Sequence, residues 1–184
     1  MMDFFIDIVI KPDAEMRENF LLNRVYTKFH QRLCDLASAD IGVSFPEYKL
    51  KLGKKLRIHG EQHRLQEMQN INWLGKYSEY CDVSEIQKVP ELVNFRVISR
   101  FQTNMSPAKL RRLIKRGTIK PDEVKHYKAT MFQKGIDNPF LELDSTSNGN
   151  THRRYIQFSD IQNTNVAGEF DTFGLSKSAT VPWF

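Results

Sequence analysis

The stretch FFIDIVIKPD, residues 4–13, sets the reading of the first half of this 184-residue chain. Phe4, Ile6, Ile8 and Ile10 alternate with Phe5, Asp7 and Val9, a period of two that belongs to a strand with one buried face, and Lys11-Pro12-Asp13 ends it. Beyond that break Leu22, Val25, Phe29, Leu33 and Leu36 recur at spacings of three and four, which predicts an amphipathic helix from about Glu15 to Ala37. Ile41–Phe45 and Leu52–His59 read as a pair of strands, Glu61–Asn70 as a short helix, and Tyr80–Ile86 as a further strand. The order β-α-β-β-α-β is the split-βαβ, or ferredoxin-like, arrangement, expected over residues 1–90.

The joint falls at Gln87-Lys88-Val89-Pro90, because Pro90 disfavours helix before it and the charge balance changes just beyond. Residues 1–94 hold 13 Lys/Arg against 14 Asp/Glu, whereas residues 95–184 hold 14 against 8. A second α+β domain is expected over 91–184. It opens with a strand carrying Val93, Phe95, Val97 and Phe101, continues into a basic helix, and adds strands near Phe140–Leu143, Tyr155–Phe158 and Phe170–Phe173. A polar loop, Asp144 to Asn150, separates the first two of these. The fold class is therefore α+β.

With 40% apolar and 11% aromatic residues the chain has enough core-forming material to exclude a disordered tail. No run of eighteen apolar residues occurs, and Asp3, Asp7, Asp13, Glu15 and Glu18 break any signal-peptide pattern, so a soluble, cytoplasmic protein that avoids membranes is expected. Cys34 and Cys81 are too few for a disulfide framework and lack C-x-x-C spacing, which leaves reduced thiols in a core. His59 and His63 in HGEQH stand four apart, but Gly60 weakens a helix there and no third ligand is evident, so no metal is expected. No phosphate-cradling G-x-x-x-x-G-K-[ST] occurs either, and no cofactor is expected.

The net charge of +5 is concentrated between Lys109 and Lys134. Ser106-Pro107 is a hydroxyl N-cap followed by proline at the first helical position, and Gly117 is a natural stop. In the helix between them Leu110, Leu113 and Ile114 fall on one side, while Lys109, Arg111, Arg112, Lys115 and Arg116 fan over the other. Such clustering attracts polyanions by counterion release, and arginine's planar fork suits phosphate oxygens and guanine edges; a solvated lysine-rich face is the alternative. Upstream, Arg100 and Gln102 share one side of a strand and match the side chains that grip guanine and adenine edges.

Several segments together carry a family resemblance. FFIDIVIKPD (4–13), KFHQRL (28–33), IGVSFP (41–46), SRFQ (99–102) with LRRLIKR (110–116), the Ser145-Thr146-Ser147 loop, and GLSK (174–177) closing in VPWF (181–184) resemble the CRISPR repeat-processing endoribonucleases of type I-F systems, from end to end. The resemblance implies an enzyme that cuts a precursor transcript at the base of each repeat hairpin without metal. It implies that the enzyme then keeps the mature guide RNA and joins other subunits of the interference complex, being a monomer outside it. By position it implies a catalytic histidine at His30 and a catalytic serine at Ser145, with Ser147 nearby. It places base-pair readers at Arg100 and Gln102, groove-lining arginines at Arg111, Arg112 and Arg116, and His152 where an aromatic stacks beneath the terminal base pair. Leu113 and Gly117 stand where relatives carry arginine, and Phe173 stands where a tyrosine occurs, so that hydroxyl is absent.

Metal-free RNA cleavage needs the 2′-hydroxyl upstream of the scissile phosphate to attack in line, with a proton acceptor, a held ribose and protonation of the leaving 5′ oxygen. Imidazole serves either proton transfer near neutrality, and a serine hydroxyl holds the 2′-hydroxyl. Taken without the resemblance, His30 reads as a half-buried helix-face histidine and Ser145 as turn chemistry. Two other functions stay open: a non-catalytic hairpin-binding subunit that anchors guide RNA, and a duplex-DNA binder.

Overall fold

The computed structural model describes residues 2–102, 107–133, 138–144 and 151–184. Strand β1 (Phe4–Ile10) buries Ile6, Ile8 and Ile10 on one face, as its alternation dictates. Helix α1 (Glu18–Asp35) follows. It starts three residues later than the periodicity implies, because the Asp13 carboxylate accepts the backbone N–H groups of Glu15 and Met16 and holds them in a turn. Strands β2 (Gly42–Ser44) and β3 (Lys55–Gly60), helix α2 (Gln62–Gln69), and the short strands β4 (Cys81–Val83) and β5 (Gln87–Lys88) complete the first half. The sheet runs β2-β3-β1-β4, every pairing antiparallel, with β5 also on β1.

The second sheet runs β7-β8-β6-β9, also antiparallel: β6 is Asn94–Phe101, β7 Phe140–Asp144, β8 Thr151–Phe158 and β9 Thr180–Trp183. The molecule is thus α+β with two antiparallel sheets. Between β6 and β7 lie two helices, α3 (Pro107–Lys115) and α4 (Val124–Gln133), the second of which the sequence pattern did not disclose. One buried cluster runs through both sheets, joining Ile6, Ile8, Phe29 and Leu33 to Ile98, Leu141, Ile156 and Val181. α1 packs on β7 as well as on the first sheet. Burying α1's six core side chains Leu21, Leu22, Val25, Tyr26, Phe29 and Leu33 contributes about 2 kcal/mol each, which fixes the helix against both layers.

Three expectations are corrected. Phe170–Phe173 is not a strand but leads into a tight turn: the Asp171 carboxylate accepts the N–H groups of Phe173 and Leu175, at 2.9 and 3.0 Å, and Gly174 lies at φ +68°. Side-chain acceptors there take the donors a sheet ladder needs. Cys81 is buried as expected, but Cys34 is exposed, on the side of α1 away from the stripe. Ile114 is 42% exposed, so only Leu110 and, partly, Leu113 seat α3. Among the described residues no helix is long and apolar enough to cross a membrane.

Candidate functional site

The Asp171–Leu175 turn is where the two halves meet around His30. Its Gly174 carbonyl accepts the Val43 N–H of β2 at 3.0 Å, and a Cβ at Gly174 would stand 3.0 Å from the Phe29 ring, so the turn lies tight beneath α1. Tyr26, one turn before His30, donates its hydroxyl to the Phe173 carbonyl at 2.7 Å. Burial pushes that hydroxyl far above its usual titration range, which keeps it a neutral donor. The turn then presents two groups to His30. The Thr172 carbonyl accepts a hydrogen bond from His30 Nδ1 at 2.7 Å, and the Phe173 ring stacks on the imidazole with centroids 3.6 Å apart and planes 8° from parallel.

A carbonyl only accepts, so the proton sits on Nδ1 and the neutral ring keeps its lone pair on Nε2. His30 is half-buried, with plane and tautomer both set. Cys34 Sγ lies 3.7 and 3.9 Å from the two ring nitrogens, from the next turn of α1.

Ser145 and Ser147 lie outside the described residues, as does the N-cap position Ser106. The strand end before Ser145 is described: Asp144 pairs with Arg24 of α1 and accepts from the Thr151 hydroxyl at 3.0 Å. The Arg24 guanidinium is the first cause holding the Asp144 carboxyl below its usual value. Arg24 precedes His30 by six residues, about 9 Å along a helix axis. His152, exposed on β8 across from Leu143, completes this edge. Partial burial and then the charges of Arg154 and Arg100 hold its imidazole below the ordinary histidine value, and His30 acts in the same direction.

Arg100 on β6 pairs with Ile156 on β8, which places it on the face that also carries Arg154. Arg100, Gln102 and Arg154 line one cleft of about 450 Å³ with Glu169, Asp171 and Lys177. Arg100 and Gln102 are exposed at its rim. On α3, Lys109, Arg111, Arg112 and Lys115 are exposed, as is Arg116 just after it. Among the described residues no carboxylate pairs with Arg111, Arg112, Lys115 or Arg116. Gly117 at φ +70° ends the helix: the Gly117 N–H donates to Ile114 and the Thr118 N–H to Leu113, a Schellman stop.

His59 and His63 do not share a helix. His59 is fully buried in β3 with Nε2 2.8 Å from the Ser44 hydroxyl, and His63 is exposed on α2. Sequence reasoning missed Thr172, Asp171 and Arg154. The spacing Asp171 to Gly174 is a turn signature that offered a signal for the first two; nothing local offered one for Arg154.

The family model for the CRISPR-associated protein Cas_Csy4 matches residues 5–184. The CRISPR-associated endonuclease Cas6/Csy4 of Escherichia coli (strain UTI89 / UPEC) is 35% identical over 184 residues, spanning 100% of each chain. The protein of the same name from Pseudomonas aeruginosa (strain UCBPP-PA14) is 34% identical over 187 residues, again 100% of each. A solved structure of the CRISPR endoribonuclease Cse3 bound to 19 nt RNA aligns over 98% of this chain and 100% of its own, at 13% identity and TM-score 0.38, too distant to carry an argument.

Proposed function

The chain belongs to the Cas_Csy4 family of CRISPR-associated proteins, and from that premise we propose that it is a metal-independent endoribonuclease that processes precursor CRISPR RNA. It binds the repeat hairpin and cuts at the stem base, with the RNA 2′-hydroxyl as nucleophile. The products are a 2′,3′-cyclic phosphate, or the 3′-phosphate derived from it, and a 5′-hydroxyl. It then holds the guide RNA within a type I-F complex. The observation that carries this reading is the doubly restrained imidazole of His30, whose Nδ1–H is committed to Thr172 while Nε2 remains for proton transfer.

In this reading Ser145, with Ser147 nearby, holds the 2′-hydroxyl, and the Arg24–Asp144 pair ties the end of β7 to the helix that bears His30. Arg100 and Gln102 read the lower base pairs, and His152 stacks beneath the last one. Lys109, Arg111, Arg112, Lys115 and Arg116 follow the groove phosphates, where duplex RNA offers shape and charge rather than base edges. Residues 1–90 form the ferredoxin-like unit, a reading supported by the antiparallel order β4-β1-β3-β2, and 91–184 the RNA-recognition unit.

The test is a denaturing gel of labelled repeat RNA in excess chelator. The wild-type protein cuts once per hairpin. A 2′-deoxy nucleotide just upstream of the cut preserves binding and abolishes cleavage; continued cutting removes the mechanism. His30→Ala binds the hairpin normally and cleaves at least about a hundredfold more slowly, the scale of losing an acid or base. Intact, shifted RNA with wild-type protein identifies a guide-anchoring subunit instead.

A further inference from the structure

Arg154 differs from every other buried arginine described in this molecule. Arg32 donates to the carbonyls of Met68 and Glu67 and to the Asn70 side chain, and Arg57 grips both oxygens of Asp7 at 2.6 and 2.9 Å and donates to the Phe184 carbonyl. Each makes three hydrogen bonds, as buried cations in a folded scaffold are ordinarily partnered. Arg154 is only 6% exposed, yet its Nε is buried without an acceptor, and among the described residues none accepts from its guanidinium.

Its surroundings do not neutralise it. The guanidinium carbon lies 3.4 Å from the Phe173 ring centroid. His30 stacks on the same ring at 3.6 Å, and one face cannot hold both, so guanidinium and imidazole lie on opposite faces. The ring provides a cation–π contact but no counter-charge. Asp171 is the carboxylate whose charge favours it, but its Oδ1 accepts the N–H groups of Phe173 and Leu175 and no hydrogen bond joins it to Arg154. Arg100 and Lys177 add positive charge to the same cleft, and the remaining carboxylate there, Glu169, is exposed.

We propose that Arg154 is a phosphate-binding residue, forming an anion subsite in the cleft that it shares with Arg100, for an RNA backbone phosphate next to the scissile one, on the Phe173 face opposite His30. The inference rests on the endoribonuclease reading above. It assigns Phe173 a second part, a divider with the proton-transfer group on one side and the strand's neighbouring phosphate on the other. The flat guanidinium suits that task because its fork meets two phosphate oxygens at once, and its burial restricts it to one pose before RNA arrives. A cation held without a partner destabilises the free protein and is neutralised when the phosphate enters.

The test compares wild type with Arg154→Met, which keeps length and removes charge, and Arg154→Lys, which keeps charge. The probe is the repeat hairpin carrying the non-cleavable 2′-deoxy nucleotide, in versions with a single methylphosphonate at successive linkages around the cut. Arg154→Met weakens hairpin binding about tenfold at low salt, lowers the slope of log affinity against log salt by about 1, and raises the melting temperature of the free protein. One methylphosphonate that weakens wild-type binding has no effect on Arg154→Met. Arg154→Lys recovers the salt slope.

Unchanged affinity and slope in Arg154→Met, or a lowered melting temperature with every methylphosphonate effect intact, makes Arg154 a packing residue and overturns the proposal. Cleavage of the all-ribose hairpin by wild type is scored alongside. If wild type binds but does not cut, the nuclease reading fails while the methylphosphonate pattern still decides Arg154. If it does not bind, both fail.

Discussion

Replacing Gly174 by alanine puts the claim that one turn orients His30 to a quantitative test. The residue lies at φ +68°, where a side chain costs about 1–2 kcal/mol. The added Cβ would also stand 3.0 and 3.1 Å from two atoms of the Phe29 ring and 3.2 Å from Val43 Cγ1. Both neighbours are fully buried, so the turn rather than the core gives way, and such overpacking costs about 1–3 kcal/mol. Gly174→Ala is therefore expected to lose roughly 2–5 kcal/mol, read in urea as a lower midpoint at unchanged slope. Domains of this kind hold about 5–15 kcal/mol, so the variant keeps a folded majority at 25 °C over most of that range, and the urea curve checks it before a rate is read.

The proposed site does not stay intact, because the displaced segment carries the Thr172 carbonyl and the Phe173 ring that hold the imidazole. A 1 Å misplacement costs on the order of a hundredfold in rate; a shift of a few tenths of an ångström is expected to slow single-turnover cleavage about tenfold. On the proposed reading α3 still engages the hairpin, and because Asp171 and Leu175 line the cleft of Arg154, affinity should fall as well, but by less than the rate. A variant that unfolds within about 0.5 kcal/mol of wild type and cuts at the wild-type rate refutes the reasoning.

Changing Arg111, Arg112 and Arg116 together to glutamine should weaken hairpin binding steeply at low salt and reduce the log–log salt slope by about 2–3, since each phosphate contact contributes close to 0.9; a titration series checks it. Stability should fall as the medium is acidified from pH 7 to 5. Burial and then the Arg57 charge hold His59 down to about 3, against about 6.5 in the unfolded chain. Below pH 6.5 the unfolded state takes up the proton and the folded state does not, so stability drops by about 1 kcal/mol per pH unit until the folded value is reached. Urea midpoints at each pH, flattened in His59→Gln, measure it.

Most first-sheet elements were legible because strand and helix periods are local; β5, two residues long, read instead as the joint. Ile6, Ile8 and Ile10 alternate, and Leu22, Val25, Phe29 and Leu33 stripe a helix, whatever lies elsewhere. Helix α3 was legible from its stop at Gly117 and its two-faced charge. α4 was not read, although Val124, Tyr127 and Met131 recur at spacings of three and four, because so short a stripe set among lysines does not stand out. The Phe170–Phe173 segment misled because its aromatic residues suggest strand while one carboxylate, Asp171, takes the N–H groups first. Cys34 misled because a cysteine is usually buried, and its place on α1 depends on which face the second sheet covers.

By itself the sequence determined most elements of the first half and the cationic helix, from residues near one another in the chain, and the family with the candidacy of His30, from motifs spread along its whole length. The tertiary structure alone decided what surrounds His30. Thr172 and Phe173 reach it across more than a hundred residues, and Arg154 reaches the far face of the same ring from a third element. Proton position, ring plane and an unpaired buried charge are properties of such contacts, and contacts between distant segments leave no period in the chain to read.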